Sequence, residues 1–71
     1  MSEEVLSEMV ANVWKIVVAE GDQIVEGDTI CILESMKMEI PVEATASGTI
    51  AQIGVQEGGT VQEGDVIAVI D

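Results

Sequence analysis

An all-β sandwich of two equivalent halves is the fold that this 71-residue sequence predicts. Three observations lead to it. Val and Ile are abundant while Trp14 is the sole aromatic, which suits thin sheets packed through small branched side chains. The chain also repeats itself. A shift of 37 positions lays Glu20-Gly21 on Glu57-Gly58, Glu26-Gly27-Asp28 on Glu63-Gly64-Asp65, and Ile30 to Leu33 on Ile67 to Ile70. Third, Gly21, Gly27, Gly58 and Gly64 each follow Glu, where a tight turn needs a positive φ that glycine supplies at little cost. Two copies of one unit, neither able to bury its own face, cover each other.

Each half predicts four short strands. The first lies near Val5, with its counterpart near Val42. A longer strand ends at Val18, or at Val55 in the second half. Short pieces follow at residues 23–25 and 60–62, and final strands end near Leu33 and Ile70. Within the longer strands the apolar spacing is three and then two: Val13, Ile16, Val18, copied as Ile50, Ile53, Val55. A strict period of two would put these on opposite faces, so bulges are expected at Trp14-Lys15 and Ala51-Gln52. Trp14 is then partly exposed, and Ala51 at the equivalent place argues for edge packing rather than recognition.

Composition excludes several function classes. Residues 1–71 make one small domain, which hides only roughly 60% of its unfolded surface and has no room for a deep cleft beside a core. The formal net charge is −12, from fourteen acidic residues against Lys15 and Lys37. No nucleic-acid partner is expected, because phosphate binding needs a basic surface. Basic patches on partner proteins are the expected complement, through an attraction that salt weakens. Histidine is absent and Cys31 is the one cysteine, so neither an imidazole-based triad nor a zinc cage can be assembled. The acids lack the alternate spacing of a calcium loop. Cys31, inside Ile30-Cys31-Ile32-Leu33, reads as a small core residue and fits a reducing compartment. The acidic start and the lack of a long apolar run predict a cytoplasmic protein with no membrane partner.

What remains is the stretch Glu34-Ser35-Met36-Lys37-Met38-Glu39. Strand-like sequence on both sides makes Met36-Lys37 the tip of a β-hairpin, which exposes side chains and tolerates a bulky attachment. Ser35-Met36-Lys37-Met38 closely resembles the Ala-Met-Lys-Met signature of biotinyl domains, the biotin carboxyl carrier modules of biotin-dependent carboxylases. Gly27 lies ten residues before the lysine and Gly48 eleven after it, as in that family. Gly48 is accordingly expected at a structural turn with the other four glycines. The resemblance covers nearly the whole chain.

That resemblance implies a flattened barrel or sandwich of two four-stranded antiparallel sheets with the lysine on a hairpin at one end. It implies biotin bound covalently to Lys37 by a biotin protein ligase, with Glu34, Ser35, Met36, Met38 and Glu39 read by the ligase or other partners. The product would be a non-catalytic, monomeric carrier that shuttles carboxybiotin between the biotin carboxylase and carboxyltransferase sites of a biotin-dependent carboxylase. Two alternatives stand beside it. Lipoyl domains share the fold, the hairpin lysine and the glycine offsets, so lipoate from a lipoate ligase, or modification by both ligases, is the second reading; Met36 and Met38 match only the biotinyl triplet. The third is an unmodified protein-interaction module using the methionines as a soft apolar contact.

The chain departs from the family in three places. Ser35 replaces the usual Ala, a small-for-small change. Glu8-Met9-Val10-Ala11 stands where members often read Pro-Met-Pro-Gly, so a gentler approach to the second strand is expected. No room exists between Gly21 and Gly27 for the protruding loop of some biotinyl domains. The start at Met1 leads us to expect a free-standing carrier.

Overall fold

The computed structural model describes residues 2–71; Met1 lies outside the described residues. Eight strands run in order: β1 (Glu3–Leu6), β2 (Ala11–Ile16), β3 (Gln23–Ile24), β4 (Thr29–Ser35), β5 (Met38–Glu43), β6 (Gly48–Ile53), β7 (Thr60–Val61) and β8 (Val66–Ile70). They form two four-stranded antiparallel sheets, ordered β1-β8-β6-β3 and β5-β4-β2-β7. Exchanging each strand for its repeat counterpart converts one order into the other. Each sheet therefore takes two strands from each half.

Backbone bonds between the halves come in matched pairs. The Gly21 N–H donates to the Ile50 carbonyl and the Gly58 N–H to the Val13 carbonyl, both at 2.8 Å. Likewise Ala44 donates to Asp28 at 2.7 Å and Ser7 to Asp65 at 2.8 Å. Two side-chain bonds repeat the exchange: Glu20 Oε2 accepts from the Ile53 N–H at 3.2 Å, and Glu57 Oε2 from the Ile16 N–H at 2.9 Å. Neither half is a folding unit by itself, because each supplies the other's turn and strand contacts.

Val13, Ile30 and Leu33 meet Ile50, Ile67 and Ile70 in a core where none is more than 2% exposed. Cys31 is wholly buried, and its repeat counterpart, Ala68, is too. The expectation of a small core residue holds. Burial pushes the Cys31 thiol up to about 11 from an ordinary 9.0. The folded chain thus keeps this proton to higher pH than the unfolded chain, so its stabilising contribution is complete below pH 9.0 and is lost as pH rises through about 11. Urea titrations across that interval should show wild-type stability falling more steeply than that of Cys31→Ala.

Both predicted bulges are present. The register shifts between Val13 and Lys15 against β4, and between Ile50 and Gln52 against β8. Trp14, at the first of them, is half-exposed. The longer strands end at Ile16 and Ile53, two residues short of the Val18 and Val55 expected from the apolar pattern. Those valines still pack against the core. Apolar spacing reports burial, and here burial outlasts the hydrogen-bonded ladder.

Gly21, Gly27, Gly58 and Gly64 all adopt positive φ, between 85° and 96°, in four equivalent turns. In three of these, the aspartate after the glycine accepts a bond from the N–H that opens the turn: Asp22 from Ala19, Asp28 from Val25 and Asp65 from Gln62, at 2.8–2.9 Å. Gly48 corrects the expectation of a fifth turn. It opens β6, paired with Ile24, and its constraint is crowding. A Cβ there would stand 2.6 Å from the Asp71 carbonyl oxygen and 2.9 Å from Ile70 Cγ2. Gly48→Ala should therefore destabilise the fold by about 1–3 kcal/mol, the range for overpacking, read as a lowered urea midpoint. The equivalent Ala11 carries its Cβ in the core without difficulty.

The approach to β2 bends at Glu8-Met9 despite the missing prolines. The buried Ser7 hydroxyl donates to the Met9 carbonyl at 2.7 Å and fastens the bend. Sheet edges are guarded: β3 and β7 have two residues each, β5 carries Pro41, and β1 carries Glu3 and Glu4.

Candidate functional site

The β4–β5 hairpin closes through two residues, Met36 and Lys37, between the paired Ser35 and Met38. A two-residue hairpin loop must match the right-handed twist of its strands, and type I′ turns do so with positive φ at both central positions. Met36 has φ 53° and Lys37 φ 66°. This geometry normally selects Asn-Gly, whereas for other residues the Cβ crowds the following carbonyl oxygen and costs roughly 1–2 kcal/mol each in the left-handed region. The strain is held by the six-pair ladder from Thr29↔Glu43 to Ser35↔Met38 behind it.

The tip displays what it carries. Met36 is 89% exposed, Met38 60%, and Lys37 is exposed between them. Lys15, the other lysine, is also exposed but lies within β2 at the bulge, opposite Ile32. Only Lys37 is presented on a turn, and exposure alone does not distinguish the two.

A polar row crosses the sheet directly behind the tip. Glu34 stands opposite Glu39 on one side and Asn12 on the other, and Asn12 opposite Thr60. The Thr60 hydroxyl donates to Asn12 Oδ1 at 3.3 Å. Two carboxylates facing each other across a hairpin repel, so stability alone does not favour Glu34 beside Glu39. A shallow groove next to the tip is lined by Val10, Asn12, Glu34, Met36, Lys37 and Thr60. The structure thus brings Glu34, Ser35, Met36, Lys37, Met38 and Glu39 together at one end of one hairpin. Asn12, Thr60 and Val10 join them from β2, β7 and the loop before β2, and nothing in the local sequence pointed to these three.

Chemically, the site offers one primary amine, two apolar thioethers and two carboxylates, all open to solvent. Among the described residues, no group of three or more Cys, Asp or Glu could hold a metal ion. The amine is open to approach from solvent.

Comparison with known proteins agrees with this geometry. The profile of a family described as biotin-requiring enzyme, with the biotin/lipoyl domain, matches residues 4–70. A protein named biotinylated protein TB7.3 homolog, from Mycobacterium leprae, is 53% identical over 70 residues, which cover 99% of both chains. The biotin/lipoyl attachment protein of Bacillus subtilis is 50% identical over 60 residues, 84% of this chain and 82% of that one. The crystal structure of Kluyveromyces lactis urea carboxylase superimposes with a TM-score of 0.93 at 41% identity, over 100% of this chain and 6% of that much longer one. Fold, hairpin and relatives converge: the chain belongs to the biotin/lipoyl family of biotin-requiring enzymes.

Proposed function

We propose that the chain is a biotin carrier, loaded at Lys37 by a biotin protein ligase and serving a biotin-dependent carboxylase in the cytoplasm. The observation that carries the proposal is the strained two-residue turn that lifts Lys37, and not Lys15, off the sheet. The relative named as biotinylated and the likeness to a urea carboxylase support the cofactor and the class of partner.

The chain's own part in loading is nucleophilic. The lone pair of the Lys37 nitrogen attacks an activated acyl carbon, and a base supplied by the ligase takes up the proton that the nitrogen sheds. An amide forms and the activating group leaves. Bound biotin supplies a ureido nitrogen that can take up and give away a carboxyl group. The residues here hold that arm clear of the sheet and add no catalysis of their own. Tethering gives the arm an effective concentration on the order of mM at each partner site it can reach.

Lipoate is the second reading, supported by the relative named for both attachments. Parallel incubations with biotin ligase, biotin and ATP, or with lipoate ligase, lipoate and ATP, separate the two by intact mass. A biotinyl increment and no lipoyl increment is the expected result; the reverse would replace biotin by lipoate.

A further inference from the structure

Among the described residues the sulfur atoms are unevenly distributed, and the accessible ones flank Lys37. Cys31 is 0% exposed, and burial keeps it a thiol rather than the reactive thiolate. Met9 is partly buried against the core. Met36 and Met38 stand 89% and 60% exposed. No core position requires them, and at the tip of a hairpin two solvated thioethers are a soft contact surface for whatever binds there. The most oxidant-accessible sulfurs among the described residues are therefore one residue to either side of Lys37.

We propose that Met36 and Met38 are sites of hydroperoxide oxidation and that their oxidation to sulfoxide gates loading of Lys37. The gate rests on the carrier reading above; the site of oxidation does not. In the reaction a thioether lone pair attacks one oxygen of hydrogen peroxide, an S–O bond forms as the O–O bond breaks, and the leaving hydroxide takes the proton from the new S–OH group. Methionine becomes the sulfoxide while hydrogen peroxide is reduced to water. An apolar side chain becomes a polar one, and the hairpin no longer offers a dry contact to the ligase. Disulfide-type switching is excluded by the single, buried cysteine.

The test uses the whole chain, treated with graded hydrogen peroxide and divided in two. Peptide mapping of one part follows the increment of about 16 Da that marks a sulfoxide. Met36 and Met38 should be oxidised at least about tenfold faster than Met9, with Cys31 unmodified until the chain unfolds. The other part is offered to ligase, biotin and ATP. Oxidised chain should load about tenfold more slowly, the factor that corresponds to losing one buried methionine contact. Treatment with both methionine sulfoxide reductases should restore the rate. A variant with Met36→Leu and Met38→Leu, whatever its starting rate, should load at a rate that peroxide does not change. Oxidation of Met9 in step with Met36 would overturn the site, and unchanged loading by the fully oxidised hairpin would overturn the gate. If untreated chain does not load at all, the carrier reading fails and the gate with it, while the mapping still decides the site.

Discussion

Exchanging the two tip residues, Met36→Lys together with Lys37→Met, is expected to slow loading by about a hundredfold or more while leaving the fold intact. Composition, charge and hydrophobicity are unchanged by the exchange. Both positions already have positive φ, so the backbone strain is the same before and after. The amine simply moves one residue along, about 3.8 Å at Cα, and leaves the turn in another direction. An acyl transfer that holds its nucleophile in line with an activated carbonyl loses about a hundredfold for a misplacement of 1 Å. Initial loading rates with biotin ligase measure the effect, and circular dichroism with a thermal melt checks the fold. Rates within threefold of wild type would mean that the ligase accepts any lysine near the tip.

Leu33→Ala is the substitution expected to damage the protein most. Leu33 is 1% exposed in β4, two residues before the hairpin closes, and its ladder partner in β5 is Ile40. Removing a buried leucine costs about 2–5 kcal/mol through lost transfer energy and the cavity left behind. A domain of this size has about 4–10 kcal/mol of stability in total. The variant should melt about 10–30 °C lower, and part of it should be unfolded at 37 °C. The neighbouring Glu34 is exposed, and Glu34→Ala should change the melting temperature by no more than a few degrees. The contrast between adjacent positions tests the inward and outward alternation that orients the hairpin.

The fold was legible because the chain writes it twice. The three-then-two spacing at Val13, Ile16 and Val18 would be ambiguous alone; copied at Ile50, Ile53 and Val55, it located both bulges. The same spacing misplaced the strand ends, since Val18 and Val55 are held by packing rather than by ladder bonds. Gly48 was misread for a related reason. Sequence offsets mark where a glycine is needed but not whether the need is a turn or a close approach, and the Asp71 carbonyl that crowds it is 23 residues away.

Of the candidate site, the place of Lys37 and its flanks at a hairpin tip was legible in the sequence, whereas their strained conformation was not. Neither Met36 nor Lys37 is a residue that type I′ turns usually select. The reciprocal bonds of Glu20 and Glu57 were hidden differently. Both precede turn glycines and both are exposed, but each accepts from the backbone N–H of the residue that ends the opposite half's longer strand, Ile53 or Ile16. Asn12 comes to the hairpin through strand pairing within the first half and Thr60 through pairing between the halves, and no local motif encodes either.

The central claim is that Lys37 is the attachment residue and that the turn, rather than lysine exposure, selects it. Intact mass followed by peptide mapping tests this on wild type, Lys37→Arg and Lys15→Arg after incubation with biotin ligase, biotin and ATP. One biotinyl increment is expected on wild type and on Lys15→Arg, mapped to Lys37, with none on Lys37→Arg. An increment mapped to Lys15, or one that persists in Lys37→Arg, would contradict the account.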